Sequence, residues 1–131
     1  MFSSSFVLLP SIFPKCLTEG NAVNSLNSWI GSDQKFTLIY SESTNGYTAA
    51  EFHRICNNLG PTVVIFKCTN GEVFGGYTSI SWDSSGQYKH DPNAFLFSLT
   101  NDIKIGQGNN INSIRCLGTH CPIFGPTVIQ I

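Results

Sequence analysis

Seven residues, Thr62-Val-Val-Ile-Phe-Lys-Cys68, stand between two breaks, Gly60-Pro61 and Asn70-Gly71. The run is β-branched and nearly all apolar, without the alternation of a strand wet on one face. It therefore reads as a strand covered on both sides, and such a strand commits the chain to layers above and below it. Asn70-Gly71 is a strong hairpin signal, because a type I′ turn needs positive φ at both central residues. Residues 72–78 return from that turn as a second strand. Within it, Gly75-Gly76 weakens the strand unless another group must come close to the backbone there.

The stretch before this hairpin reads as a helix. Thr48 and Glu51 have the S/T-x-x-E spacing of a capping box, in which each side chain reaches the other's backbone N–H. Phe52, Ile55 and Cys56 then fall on one apolar stripe. Gly60-Pro61 is the expected stop, since Gly tolerates a left-handed turn and Pro cannot continue the helix. An earlier helix is read over residues 18–30, with Thr18 as N-cap and Val23, Leu26, Trp29 and Ile30 at three- and four-residue spacing. Residues 35–40 form the first strand, and Asn45-Gly46 turns the chain towards the capped helix.

Beyond the hairpin, residues 79–92 are a loop of fourteen residues carrying Trp82 and Tyr88, aromatic bodies with one polar tip each. Residues 93–100 are a third core strand, 101–110 a polar turn, 111–117 a short strand and 118–122 a further turn. Residues 127–131 can close a sheet. Residues 1–16, rich in Ser and Pro, read as a loosely held arm, leaving 17–131 as one domain. The fold class that follows is α+β, mainly β: two packed antiparallel sheets with two flanking helices.

The order of certain residues is also informative. Phe36 and Ser41, Phe52-His53, Cys56-Asn-Asn58, Gly60-Pro61-Thr62, Phe74-Gly-Gly-Tyr-Thr78, Trp82 and Asp91-Pro-x-Ala-Phe-Leu-Phe-Ser-Leu99 occur in sequence order. Together they resemble the TLDc domain family from about Phe36 to at least Phe124. The chain departs from that pattern at Asn45-Gly46, where the family commonly has Asp-Gly, and at Cys56-Asn-Asn-Leu59, where it often has Cys-Asp-Asn-Lys. Family members also continue past the segment that Pro122-Ile-Phe-Gly125 resembles, so the chain reads as a shortened member lacking the last strands, a fragment, or one whose last strand pairs differently. The resemblance implies the same β-sandwich. It also implies a non-enzymatic interaction module linked to regulation of the vacuolar proton-ATPase and to oxidative-stress resistance.

Composition narrows the alternatives. Charged residues make up 11% of the chain and the net charge is −1. No two basic residues are adjacent, which removes the electrostatic footprint of a nucleic-acid or anionic-membrane binder. The apolar run at Phe6–Leu9 stops at Pro10, too short for a signal sequence or a span, so the default location is cytoplasmic with reduced thiols. No cofactor motif is present. The Cys116-x3-His120-Cys121 cluster departs from zinc-ligand spacing, so no metal is assigned. His53 and Cys56 are neighbours on one helix, yet Cys56 shares the apolar stripe, so no catalytic residues are assigned.

Two sets of site residues remain. Gly75, Gly76, Tyr77, Trp82 and Tyr88 are the candidate partner-binding surface, for a protein such as the soluble sector of the vacuolar ATPase. The plainer reading is that the Gly pair makes room for Trp82 or Tyr88 to lie across the sheet. Cys56, Cys116 and Cys121 are the candidates for a thiol-based redox-protective protein, the main alternative. A shortened paralogue without pump binding is a third reading.

Overall fold

The computed structural model describes residues 2–10, 20–32, 36–46, 48–106, 113–120 and 123–124. Nine strands form two antiparallel sheets among these residues. The larger has the order β2-β1-β3-β4-β6-β7, from β1 (Phe2–Pro10), β2 (Phe36–Ser41), β3 (Thr62–Cys68), β4 (Val73–Thr78), β6 (Phe95–Ser98) and β7 (Ile103–Gly106). The smaller has the order β5-β8-β9, from β5 (Tyr88–Lys89), β8 (Ile114–Arg115) and β9 (Ile123–Phe124). Three helices accompany them: α1 (Gly20–Ile30), α2 (Glu42–Asn45) and α3 (Ala49–Cys56).

The apolar run organises the molecule as its composition demands. Thr62 to Phe66 are all buried. Val63 and Ile65 face a core shared with Val23 and Leu26 of α1, and with Phe36, Tyr77, Phe95 and Phe97. Val64 and Phe66 face the other core, with Tyr40, Phe52 and Cys56, Trp82, and Ile114, Cys116 and Phe124 from around the small sheet. Side chains alternate along a strand, so one strand feeds both layers and its apolar residues need not alternate with polar ones.

Several elements differ from the reading of the sequence. Residues 2–10, expected as part of a loose arm, form β1, which pairs with β2 on one side and β3 on the other. The run Phe6-Val-Leu-Leu9 was too short to span a membrane, but it suits a strand that ends at a proline. Residues 103–106, expected as turn, form the edge strand β7, with Ile103 and Ile105 exposed. The turn at residues 42–47 contains the one-turn helix α2. The hairpin is not a two-residue type I′ turn. The Gly71 N–H donates to the Cys68 carbonyl and the Cys68 N–H to the Glu72 carbonyl, and Gly71 alone in the turn has positive φ, +92°. This is the three-residue loop with a left-handed glycine, the next commonest hairpin solution.

Helix α3 also ends early, at Cys56, with Asn58 at φ 63° ahead of Gly60. Thr48 caps its start by accepting from the Glu51 N–H, while the Glu51 carboxylate turns to Arg54 at 2.8 Å. Thr18 and residues 127–131, the expected cap and closing strand, lie outside the described residues.

The Gly pair of β4 is explained by packing from both layers. A Cβ on Gly75 would stand 1.8 Å from the Val64 carbonyl oxygen and 2.8 Å from the Phe97 ring. One on Gly76 would stand 2.7 Å from the Phe124 ring. The rings that need the space are thus Phe97 and Phe124, rather than Trp82 or Tyr88. Gly75→Ala is expected to cost about 3 kcal/mol, because a backbone oxygen cannot move aside cheaply. Gly106→Ala, in open space, is expected to change stability by less than about 0.5 kcal/mol. Denaturant midpoints of the two variants check this contrast.

Candidate functional site

Trp82 lies inside the molecule, with no exposed surface. Its indole N–H donates to Thr62 Oγ1 at 2.9 Å. Its ring meets Phe52 of α3 edge-on at 6.0 Å and Phe124 of β9 at 5.4 Å. Its carbonyl accepts from the Asn58 N–H at 2.9 Å. The side chain thus locks the loop of residues 79–92 against the end of α3 and the small sheet. Gly75, Gly76 and Tyr77 are buried as well. Of the five candidate contact residues only Tyr88 is exposed, at 40%. The five do not form a common surface.

The loop that carries Trp82 and Tyr88 is held at its far end by a buried carboxylate. Asp91 accepts from Thr78 Oγ1 at 2.7 Å, from the Ser79 N–H and Oγ at 2.6 Å each, and from the Asn93 N–H at 3.0 Å. The last is the Asx turn expected of an Asp before Pro. The Asp91 backbone also exchanges two hydrogen bonds with Ser113 Oγ, tying the loop to the start of β8. Burial acts to raise the Asp91 carboxyl, but the hydrogen bonds from Ser79, Thr78 and Asn93 outweigh it and hold the group below its ordinary range.

A second tie crosses the middle of the loop. Lys89 Nζ reaches Asp83 at 2.5 Å and the Ser81 carbonyl at 3.1 Å. Burial again acts against the charged carboxylate, and hydrogen bonds from Lys89 and Ser85 more than reverse it, so Asp83 titrates well below the usual range. Fourteen residues that read as structureless are therefore fixed at three points, Trp82, Asp83 and Asp91.

The candidate redox residues occupy the same interior. Cys56 and Cys116 have no exposed surface. Burial pushes the Cys116 thiol up, opposite to what a reactive thiolate requires. Cys121 lies outside the described residues. His53 is buried and engaged through both ring nitrogens. Nδ1 faces Asn57 Oδ1 at 2.8 Å, and Nε2 faces the carbonyls of Leu117 and His120 at 2.7 and 2.8 Å. Carbonyl oxygens only accept, so Nε2 carries a hydrogen. His53 fastens α3 to the 117–120 turn instead of serving Cys56. Among the described residues no three His, Cys, Asp or Glu side chains gather as metal ligands would.

The Asp91 hub and the His53 clip went unforeseen. Asp91-Pro92 announced a turn, but the donors Thr78, Ser79 and Ser113 lie 12 to 22 residues away, and no local spacing identifies them.

Comparison with known proteins agrees with this architecture. The family model of the TLDc domain matches residues 12–128. The chain belongs to the TLDc domain family. Its relatives include proteins named MTOR-associated protein MEAK7. The Gallus gallus protein is 38% identical over 65 residues, covering 50% of this chain and 14% of the relative. That of Danio rerio is 33% identical over 69 residues, 53% of this chain and 15% of the relative. That of Xenopus laevis is 30% identical over 107 residues, 70% of this chain and 23% of the relative. This TLDc chain thus spans less than a quarter of these relatives' length.

The Asp91 hub yields a pH prediction for this TLDc domain. Its folded-state pKa is depressed, so its contribution is present above the unfolded carboxylate value of about 4 and is lost as pH falls through the folded value. Asp91→Asn faces amide hydrogens towards the Ser79 N–H. It is expected to lose roughly 2–4 kcal/mol at neutral pH. Urea midpoints between pH 7 and pH 3 should show wild type and variant converging as the pH falls.

Proposed function

We propose that this TLDc domain is a non-enzymatic protein-interaction module, cytoplasmic, acting through association with a larger assembly. The family match over residues 12–128 carries this reading. The interior supports it: Cys56 and Cys116 are committed to packing, and the buried histidine and aspartate to structural hydrogen bonds. No helix among the described residues is long and apolar enough to cross a membrane.

The TLDc resemblance points to the soluble sector of the vacuolar proton-ATPase as the assembly, with oxidative-stress resistance as the consequence. The relatives are named as MTOR-associated, which gives an mTOR complex as the second candidate partner. The thiol-redox alternative is disfavoured by the burial of Cys56 and Cys116. The module reading predicts co-sedimentation of the folded chain with purified vacuolar ATPase soluble sector or with a purified mTOR complex, with ATP hydrolysis read alongside for the former. Binding to neither would overturn it, and rapid consumption of peroxide by the native chain would then favour thiol chemistry. Trp82→Ala is a poor probe of contact, since it removes a core side chain and is expected to cost about 3–5 kcal/mol.

A further inference from the structure

The outer face of the small sheet carries an unusual pairing. Tyr88 of β5 and Arg115 of β8 are register partners. The guanidinium lies over the Tyr88 ring at 4.7 Å, and Nη1 reaches the Tyr88 hydroxyl at only 3.4 Å. The sequence has two arginines. Arg54 is matched by the Glu51 carboxylate. Arg115 enters neither ion pair found among the described residues, and its covered Nε–H has no acceptor there. A guanidinium stacked on an exposed ring, with no carboxylate partner among the described residues, is half of an Arg–carboxylate pair, and Tyr and Arg are the residue types enriched at interface anchor points.

We propose that Tyr88 and Arg115 anchor a docking surface for an Asp or Glu side chain presented by an acidic segment of a partner protein. The proposal rests on the interaction-module reading and assigns its surface. The carboxylate pairs in the guanidinium plane through the Nη groups, since the Nε–H is covered, while the Tyr88 ring holds that plane in place and adds apolar contact at the rim. The fork geometry matters as well as the charge, so lysine at this position is no equivalent. No other candidate exposed residue of the loop has this combination. Lys89, next to Tyr88 on β5 but paired with the buried Ile114 and so on the other face, is neutralised by Asp83.

The two arginines give the test an internal control. A ¹H–¹⁵N spectrum resolves the Nε–H of Arg54 and of Arg115, and a glutamate-rich peptide is titrated into the full chain. The Arg115 signal is expected to shift while that of Arg54 stays. Affinity should fall at least about tenfold in Arg115→Gln and by a smaller factor in Arg115→Lys, with unchanged thermal midpoints showing that the fold is intact. Tyr88→Phe keeps the ring and should bind nearly as the parent does. Equal shifts at both arginines, equal affinity of Arg115→Gln, or displacement of the peptide by inorganic phosphate at matching concentration would overturn the assignment. Co-sedimentation separates the two claims. If the parent and Arg115→Gln co-sediment equally with a partner assembly, the surface is wrong and the module reading stands. If neither co-sediments, the module reading fails.

Discussion

Burial of β3 on both faces is the constraint on which the rest depends. Val63, Val64, Ile65 and Phe66 all lie within 6% of complete burial. At ~1.5–3 kcal/mol for each buried apolar side chain, this one strand supplies a gross stabilisation comparable with the whole net stability of a domain. Such a strand cannot stand at an edge or on a wet face. It needs partners on each side, which β1 and β4 provide, and cover above and below, which α1 and the layer of α3 with the small sheet provide. The Gly pair of β4 follows from the same demand. At Gly75 the Val64 carbonyl of β3 and the Phe97 ring of β6, and at Gly76 the Phe124 ring of the small sheet, leave no room for a Cβ.

The second layer is thin. Its strands are two residues each, too short to hold by ladder hydrogen bonds alone. It is held instead by specific ties. Trp82 packs between α3 and β9, Asp91 joins the end of β4 to the start of β8 through hydroxyls, and His53 clips α3 to the turn after β8. Each tie connects segments distant in sequence, so each is paid in loop-closure entropy that only a buried, satisfied contact offsets. That is why Trp82, Asp91 and His53 are each engaged in hydrogen bonds, and why they are poor candidates for chemistry.

What was legible in the sequence was what is local. The bounds of β3 follow from Gly60-Pro61 and Asn70-Gly71, and the α3 cap follows from Thr48 and Glu51. Phe52 and Cys56 announced their burial through spacing. What depends on distant partners was less legible. The turn at Asn70-Gly71 took a three-residue form because its register is set by Lys67 facing Val73, not by the dipeptide. β1 and β7 became strands because the sheet had places for them beside β3 and β6. Trp82 was legible as a large aromatic, but its direction was not. A loop tryptophan with a polar tip reads equally as a contact or as a rivet, and the hydroxyl of Thr62, twenty residues back, decides for the rivet.

A chain with 11% charged residues makes each charge informative. Two of its cations are laid over aromatic rings where the layers run out. Lys104 of the edge strand β7 covers Phe95 at 4.7 Å and reaches the Trp29 carbonyl at 3.3 Å. Arg115 covers Tyr88 at the same distance. Long cationic side chains can cover apolar surface with their stems while the head stays near water. The two differ in what they cover. Phe95 is a buried core ring, so Lys104 seals the margin of a finished layer. Tyr88 is itself exposed, so Arg115 lies over a surface ring as its cross-strand partner. A stacked cation over a core ring is explained by stability alone. Over a surface ring the same geometry adds only the smaller stabilisation of an exposed cation–π pair, and on that asymmetry the proposed docking surface rests.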